Sequence, residues 1–231
     1  MYHSIDLMPK STVMRSMHVP PRRFLNQMLI LKKLGYRGLS IKELLPYLCG
    51  EKKGKVVGIT FDDGYKNNLS NAAPILLKYN FSATCYIVHN SIGSTNTWDL
   101  DQKITQSPLM SETEVKEWIN LGMDIGAHTN THPDLTKLSE SRARQEIFEC
   151  KIQLEDKFKT KVSDFCYPFG RFNKSLCRIV EEAGYLSATS MLRGRVDDDS
   201  NLFCLPRIPI NYHTLPYLFL AKLLTSYEDR R

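Results

Sequence analysis

The chain has 231 residues, 42% of them hydrophobic, and a formal net charge of +6. This length and apolar content suffice for one well-packed core, so we expect a single domain over residues 1–231. The modest positive charge suits an anionic glycan, a phosphate-bearing lipid carrier or an acidic membrane surface, and equally a soluble surface that is merely basic. The basic residues do not cluster with aromatic residues in any recognisable module, which argues against a nucleic-acid partner.

Cysteine usage and targeting signals indicate the compartment. The six cysteines form no Cys-x-x-Cys pair and several lie in apolar segments, a pattern typical of buried free thiols in a reducing compartment. The N-terminus lacks the ordered charged and apolar regions of a signal peptide, and no apolar run approaches the roughly 18 residues of a membrane span. We therefore expect a cytoplasmic protein. A contact with the inner face of the membrane stays open, because residues 215–227 are apolar nearly all round.

The first part of the chain predicts two helices. Pro20 and Pro21 begin the first, whose apolar positions are spaced for one buried face, and Gly35 closes it. Ser40 with Glu43 forms a capping box that begins the second helix.

An apolar run over residues 56–59 leads into Thr60-Phe61-Asp62-Asp63-Gly64. Small and β-branched residues closed by a turn-forming glycine predict a buried strand that ends in a loop. Successive side chains of an extended segment point in opposite directions, so Asp62 and Asp63 are not expected to share one task. One suits a metal and the other a proton, and a plain Asp-Asp-Gly turn is the alternative.

After a predicted helix over residues 72–78 and a strand over 83–88, residues 90–107 are polar and without periodicity. A loop of this length in a compact domain is usually functional or disordered. It holds Trp98, which either stacks on a sugar ring or pins its own loop.

A second polar motif, His128-Thr129-Asn130-Thr131-His132, follows a short strand over residues 123–127. Two imidazoles four residues apart converge on one cation if the backbone turns helically between them. Two histidines and one carboxylate leave coordination positions open for water and substrate, as in a catalytic metal site. The alternative is a pair of hydrogen-bonded loop histidines.

The last third of the chain predicts a long charged helix over residues 139–159, with Ile147, Ile152 and Phe158 facing inward. A strand over residues 165–167 then runs into the Pro-Gly turn Tyr167-Pro168-Phe169-Gly170, and a further helix and strand follow.

Taken together and in this order, the motifs at residues 60–64, 128–133 and 167–170 resemble the polysaccharide deacetylase family, the carbohydrate esterases that remove N-acetyl groups from amino sugars. The resemblance covers roughly residues 1–210. It implies an α/β fold that is an irregular, incomplete parallel (β/α) barrel of about seven strands.

The resemblance also implies roles for individual residues. Asp62 is then the general base, and Asp63 ligates the metal together with His128 and His132. The backbone N–H of Phe169 helps to bind the oxyanion. One divalent ion is implied; zinc fits the ligand set, and cobalt, nickel or iron fit it too.

Three further residues are assigned to substrate binding. Residues 1–5 resemble the first strand of the family, which places His3 at the mouth of the barrel as a substrate contact or as a structural histidine. Trp98 and Tyr167 complete this set.

The chain departs from the commonest pattern of the family in two places. Many members carry an arginine that pairs with the base carboxylate where this chain has Cys166, and in this respect it looks closer to the exopolysaccharide branch. Arg207 is our candidate for the missing guanidinium, and a surface arginine is the rival interpretation. The usual Leu-x-His motif of the general acid has no match, since His213 lies in a different context, so the proton donor is unassigned.

The predicted activity is metal-dependent hydrolysis of the N-acetyl amide of a glycan or a lipid-linked glycan precursor, by attack of a metal-activated water. With no export signal, a precursor in a bacterial surface-polysaccharide pathway is favoured. A deformylase or another amide hydrolase acting on a lipid-linked amino sugar is one alternative, and a non-catalytic glycan-binding relic is another. The oligomeric state is not predicted.

Overall fold

A computed structural model describes residues 1–7, 17–102, 104–197 and 199–229. Within these ranges the chain folds into short parallel strands and α-helices. The strands are β1 (Arg37–Leu39), β2 (Val56–Gly58), β3 (Thr60–Phe61), β4 (Thr84–Ile87), β5 (Asp124–Ala127), β6 (Asp164–Cys166), β7 (Ser187–Arg193) and β8 (Leu205–Arg207). The helices are α1 (Pro21–Lys33), α2 (Ile41–Leu48), α3 (Ala73–Lys78), α4 (Glu112–Asn120), α5 (Glu140–Phe158), α6 (Lys174–Glu182) and α7 (Pro216–Leu224).

Strands β3 to β8 form one parallel sheet in sequence order. Parallel neighbours need crossover connections, and α3, α4, α5 and α6 supply them as far as β7. A short 3₁₀ turn at Leu202–Cys204 precedes β8 instead. The six-stranded sheet curls into a half-barrel, which confirms the predicted incomplete (β/α) barrel. The carboxyl ends of its strands therefore meet at one opening.

The backbone of residues 1 and 2 lies between the two edges of this sheet. On one side, the Tyr2 N–H donates to the carbonyl oxygen of Thr60 at 2.8 Å, and the Asp62 N–H donates to that of Tyr2 at 3.0 Å. On the other side, the Ile210 N–H donates to the carbonyl oxygen of Met1 at 3.0 Å. The predicted first strand is therefore a short extended bridge that links the two edges.

The strand predicted over residues 56–59 is divided in two. Its first part, β2, pairs with β1 in a separate two-stranded sheet, whereas β3 belongs to the main sheet. The Ile59 N–H donates to the carbonyl oxygen of Leu39 at 2.9 Å, and the Ile59 carbonyl accepts from Thr84 at 3.0 Å. The chain thus changes partner at this residue. The sequence did not predict β1, because three residues with one large apolar side chain show no alternation.

An aromatic cluster fills the core beneath the opening. The ring of Phe61 lies 5.6 Å from that of Tyr2 and 5.8 Å from those of Phe24 and Trp118. All four side chains are buried. Phe61 directly precedes the two carboxylates, so this packing holds the end of β3 in place.

Helix α5 shows the predicted core face with one exception. Ile147, Leu154 and Phe158 are buried, but Ile152 is 62% exposed, so its predicted inward position is wrong. Residue 152 lies about 140° around the helix from Ile147, which takes it out of the apolar stripe.

Serine N-caps begin both α2, where one was predicted, and α4. Ser111 and Glu114 form a complete capping box at α4. The Ser40 hydroxyl accepts from the Glu43 N–H at 3.3 Å, but the Glu43 carboxylate accepts from the Ser82 hydroxyl instead of closing the box.

The polar segment over residues 90–107 is folded. It contains a 3₁₀ turn at Thr97–Gln102, and Thr95 forms an antiparallel bridge with Pro108. The side-chain oxygen of Asn96 also accepts from the Ser107 N–H at 2.7 Å, so the two ends of the segment lie together.

The cysteine prediction holds in part. Cys85, Cys150 and Cys166 are buried free thiols, but Cys49 is exposed and the other two are half-buried. Helix α7 packs on the core through Phe219. Over the described ranges, no helix combines the length and apolar character needed to cross a bilayer.

Asp164, the first residue of β6, is a carboxyl group whose ionisation opposes folding. Burial raises the pKa of Asp164 from 3.8 to about 6, although the Ser187 hydroxyl donates to its Oδ1 at 2.7 Å. Because the native state holds this proton more tightly than the unfolded chain, the contribution of this group to stability falls as pH rises from about 4 to about 6. Above that range, ionisation of Asp164 lowers the free energy of unfolding by about 3 kcal/mol.

We expect Asp164→Asn to be more stable than the wild type near neutral pH, by up to about 3 kcal/mol, and about as stable near pH 4, where the wild-type carboxyl is protonated. Urea unfolding at the two pH values measures both differences. Asp156→Asn, at an exposed site, is the control and gains nothing on going to neutral pH. An equal gain for Asp164→Asn at both pH values would contradict this explanation.

Candidate active site and metal centre

Strand β3 ends in two adjacent buried carboxylates that face different partners. Asp62 is 3% exposed and Asp63 is 4% exposed. Asp63 has a φ of 74°, a left-handed conformation that turns the chain out of the strand. Its carboxylate faces two histidines, whereas that of Asp62 faces an arginine.

Asp63, His128 and His132 meet in one buried cluster. The Nε2 atoms of both histidines lie 3.5 Å from Oδ1 of Asp63. The three candidate ligand atoms all lie within 4.8 Å of one another. Two imidazole nitrogens and one carboxylate oxygen are a donor set that zinc and related ions accept, with positions left over for water and substrate.

The backbone brings the two imidazoles together through a left-handed turn rather than the helical turn on which the sequence prediction relied. Thr129 has a φ of 67° and His132 a φ of 59°. The turn is closed by the His132 N–H, which donates to the Thr129 hydroxyl at 2.9 Å.

Hydrogen bonding assigns the tautomer of His128. Its Nδ1 lies 2.7 Å from the carbonyl oxygen of Cys166, so Nδ1–H donates there and the lone pair of Nε2 points at Asp63. An imidazole lone pair that faces a carboxylate oxygen requires a cation or a proton between them. The residues present therefore fit a divalent ion.

Electrostatics in the metal-free cluster agree with this. Burial lowers the pKa of His132 to about 3, assisted by His128. Burial also disfavours the charged form of His128, but Cys166 and the hydrogen bond with Asp63 outweigh it and raise the pKa of His128. Burial opposes ionisation of Asp63, yet the histidines hold its pKa below the usual range. Without a metal, the cluster keeps a proton on His128.

Asp62 is held by Arg207 through a two-pronged ion pair. Nη1 of Arg207 lies 2.7 Å from Oδ1 of Asp62, and Nη2 lies 2.8 Å from Oδ2. Nε of Arg207 also donates to the carbonyl oxygen of Ser190 at 2.9 Å. Burial alone would raise the pKa of Asp62, but the guanidinium outweighs it and holds this pKa far below the usual range. Arg207 is therefore a partner of the Asp62 carboxylate and is only 7% exposed.

Cys166 leaves the space that the guanidinium occupies. Nη2 of Arg207 donates to Sγ of Cys166 at 3.3 Å, and this Sγ lies 3.7 Å from Oδ2 of Asp62. The thiol thus contacts the ion pair from β6, while the arginine reaches it from β8.

His3 lies on the open side of the ion pair. Its Nε2 is 4.0 Å from Oδ2 of Asp62, and its side chain is 22% exposed. The structure therefore brings this histidine to the site, between the buried carboxylate and solvent.

Two aromatic side chains flank His132. Trp98 stacks on its imidazole with ring centroids 4.5 Å apart, and Phe169 approaches edge-on at 4.7 Å. Phe169 is 42% exposed. Neither interpretation of Trp98 foresaw the contact with a candidate ligand. Nδ1 of His132 is buried and has no hydrogen-bond partner in the part of the chain that the structure describes, so ring packing holds this imidazole.

The turn that follows β6 places the side chain of Phe169 beside the cluster. Phe169 has a φ of 57°, and Gly170 follows with a φ of 65°. A Cβ at Gly170 would lie 2.0 Å from Cγ of Met191, so only glycine fits there.

Tyr167 and His213 are not brought to the opening. Tyr167 is fully buried, and its hydroxyl donates to the carbonyl oxygen of Phe203 at 2.9 Å. The side chain that we assigned to substrate binding therefore supports the core instead. His213 is exposed, and its backbone N–H donates to the side-chain oxygen of Asn211.

Tyr65 is a site residue that the sequence did not single out. It is 3% exposed, and its hydroxyl interacts with the carboxylate of Asp63. Burial, followed by the charges of Asp63 and Asp99, raises the pKa of Tyr65, so it is a permanent donor. Its position directly after Gly64 was the available signal.

Comparison with known proteins gives a consistent result. The family model described as polysaccharide deacetylase matches residues 50–188. The putative polysaccharide deacetylase YxkH of Bacillus subtilis (strain 168) is 30% identical over 213 residues, which are 91% of this chain and 70% of that protein. The poly-beta-1,6-N-acetyl-D-glucosamine N-deacetylase of Staphylococcus aureus (strain MSSA476) is 29% identical over 221 residues, 90% of this chain and 73% of that protein. The structure of the Streptococcus pyogenes deacetylase PplD in complex with acetate has a TM-score of 0.81 at 26% identity, over 96% of this chain and 95% of that chain.

We expect metal binding to become tighter as pH rises, because the ion must displace the proton that His128 retains at a raised pKa. One proton released per ion corresponds to an affinity gain of about tenfold per pH unit between about pH 5 and pH 7. Calorimetric titration of metal-free protein with Zn²⁺ at several pH values measures this slope.

His128→Gln should abolish the binding, and His213→Gln, at an exposed histidine away from the cluster, should leave it intact. An affinity that did not change with pH would contradict the assignment of the proton to His128.

Proposed function

This chain belongs to the polysaccharide deacetylase family, and on that premise we propose that it is a metal-dependent hydrolase that removes N-acetyl groups from amino-sugar residues of a glycan. The observation that carries the proposal is the convergence of the Asp63–His128–His132 cluster with the arginine-held Asp62 at one opening. Hydrolysis of the amide adds water across the C–N bond and releases acetate and a free amine.

Asp63, His128 and His132 would hold the ion. When bound, a divalent ion lowers the pKa of a coordinated water and polarises a nearby oxygen. Zinc, cobalt, nickel and iron suit these ligands, and zinc is our first choice. Because the cluster is buried and shielded by Trp98 and Phe169, bulk water is kept from the ligand atoms.

Asp62 is the proposed general base. Arg207 keeps its carboxylate ionised and fixes both oxygens in the plane of the guanidinium. The lowered pKa makes Asp62 a weaker base. In return, its carboxylate is ionised and held in one orientation, so that it is ready to accept a proton.

Phe169 is the proposed oxyanion donor. Its ring packs edge-on against His132, in a turn that only glycine at position 170 allows. A preorganised N–H of this kind contributes roughly 3 kcal/mol or more in comparable acyl-transfer sites.

His3 is the proposed proton donor for the departing amine. Its imidazole lies 4.0 Å from Asp62, is partly open to solvent and is not one of the candidate ligands. A histidine so placed is able to collect the proton that Asp62 takes from water and pass it to nitrogen. This gives a further role to a residue that we predicted to be a substrate contact or a structural histidine.

The proposed substrate is a polymer of N-acetylglucosamine, in line with the name of the Staphylococcus aureus relative. The half-exposed ring of Phe169 and the partly exposed ring of Trp98 flank the cluster and offer flat apolar surfaces to pyranose rings. A lipid-linked amino-sugar precursor offers the same N-acetyl group and is the second substrate to test.

The test is the release of acetate by metal-loaded protein from oligomers of β-1,6-linked N-acetylglucosamine, with the N-formyl analogue alongside. We expect acetate from the wild type and a loss of at least about a thousandfold in Asp62→Asn, which removes the base. Formate release without acetate would favour the deformylase alternative. No product after loading with zinc, cobalt or nickel would overturn the proposal.

Arg207→Ala should lower the rate of acetate release at least about tenfold, equivalent to about 1.4 kcal/mol, because Asp62 loses its orientation. Burial is then opposed only by His3 and His128, so the pKa of Asp62 rises and the acidic limb of the pH–rate profile should move to higher pH.

Arg144→Ala is the control, because this arginine on α5 pairs with Glu140 and Glu182 instead. Wild-type rates in Arg207→Ala would contradict the role assigned to this ion pair.

His3→Gln should lose amide hydrolysis by about a hundredfold but retain most of its activity on an activated acetate ester such as p-nitrophenyl acetate, whose leaving group needs no proton. Measurement of both substrates with one enzyme preparation separates proton donation from a general loss of structure. Equal losses on amide and ester would show that His3 does not act as the donor.

A further inference from the structure

The loop that carries the two candidate histidine ligands adopts a backbone that needs external support. Thr129 and His132 are both left-handed without being glycine. Such conformations cost of order 1 kcal/mol or more each and persist only where surrounding contacts over-determine them. For Thr129, a β-branched residue, the conformation is especially uncommon.

The support comes from one buried carboxylate on α5. Oε2 of Glu146 accepts from the Asn130 N–H at 2.9 Å and from the Thr131 N–H at 3.0 Å. Its Oε1 accepts from the Thr131 hydroxyl at 2.7 Å. Glu146 is 2% exposed, so these bonds form away from solvent. The two N–H groups belong to the residues between the histidines, and the loop is therefore held at its centre.

The opposite side of the loop is held by the segment that follows β4. The His89 N–H donates to the carbonyl oxygen of Thr129 at 3.2 Å, and the Asn90 N–H donates to that of Asn130 at 3.0 Å. The carbonyls of the loop thus face one segment and its N–H groups face α5. Glu146 is the acceptor for the loop N–H groups of Asn130 and Thr131.

Burial of a carboxylate at this position lowers the stability of the fold unless hydrogen bonds or an opposite charge compensate it. A buried charge needs compensation, and Glu146 obtains it from three donors, with Arg142 at 3.7 Å. Hydrogen bonds to an ionised acceptor are about twice as strong as neutral ones. Glu146 does not belong to the Asp63–His128–His132 cluster, so it acts on these candidate ligands only through the backbone of the loop.

We propose that Glu146 is a positioning residue that sets the two imidazoles for metal binding by fixing the turn between them. The inference rests on the proposed metal-dependent function. It adds a residue to the reaction machinery that lies on a helix outside every motif of the sequence analysis.

The test compares the affinity of metal-free protein for Co²⁺, by calorimetric titration, and the visible absorption of the Co²⁺ complex. Glu146→Met keeps the length of the side chain but leaves both N–H groups without an acceptor, and we expect affinity to fall at least about tenfold with an altered spectrum. Glu146→Gln should stay within about threefold of the wild type. Its amide oxygen accepts from both N–H groups, while its NH₂ donates to the Thr131 hydroxyl.

The matched control is Glu149→Met on the same helix. Glu149 accepts from the side-chain amide of Asn130 at 3.3 Å and from that of Gln145 at 2.9 Å, but not from the backbone of the loop, so its loss should leave affinity and spectrum unchanged. A purely structural role for Glu146 predicts a lower melting temperature in Glu146→Met with unchanged Co²⁺ affinity and spectrum, and that result would overturn the proposal.

Should Glu146→Met not fold, Glu146→Asp takes its place, because a shorter carboxylate does not reach both N–H groups. Wild-type affinity in Glu146→Asp would equally overturn the proposal. Failure of the wild type itself to bind Co²⁺ would instead overturn the proposed metal-dependent function, so the two failures are distinguishable.

Discussion

Two adjacent carboxylates buried at the end of one strand need two separate sources of positive charge. Removing an ionised carboxylate from water costs several kcal/mol unless a partner compensates it. Asp62 obtains its partner within the chain, as a two-pronged ion pair with Arg207. Asp63 faces two imidazole nitrogens and a tyrosine hydroxyl, so its compensation is a proton on His128 or an added cation. The two carboxylates therefore differ in their partners: Asp62 is paired with an arginine, and Asp63 is left facing the two histidines.

The curvature of the sheet makes the first solution available. Asp62 follows β3, the first strand of the main sheet, and Arg207 closes β8, the last one. In a flat sheet these positions lie at opposite edges, whereas here residues 1 and 2 bridge the edges and the guanidinium reaches across. The same strand ends bring Cys166 from β6 against the pair. The curvature of the sheet and the geometry of the ion pair are therefore one constraint, since opening the barrel would separate Asp62 from Arg207.

Much of this was accessible from the sequence, and the reason is local. The strand-end carboxylates, the histidine pair and the Pro-Gly turn are contiguous motifs, and each lies where a parallel strand meets the opening. What escaped prediction depends on partners distant in the chain. The change of sheet at Ile59, the stacking of Trp98 on His132 and the burial of Tyr167 are decided by neighbours that no local pattern specifies. Glu146 looked like one charge among many on α5, and only its position against the turn distinguishes it.

The ion pair at the base also has a consequence for how the protein is made. Asp62 and Arg207 are 145 residues apart in the chain. Contacts of such long range form late, because the entropy of closing the loop must be met before they contribute. During synthesis Asp62 emerges well before β8, and until β8 docks it is a carboxylate without its guanidinium, in a cleft still open to water. The Asp62 carboxylate thus gains its fixed orientation only at the end of folding, when β8 completes the sheet.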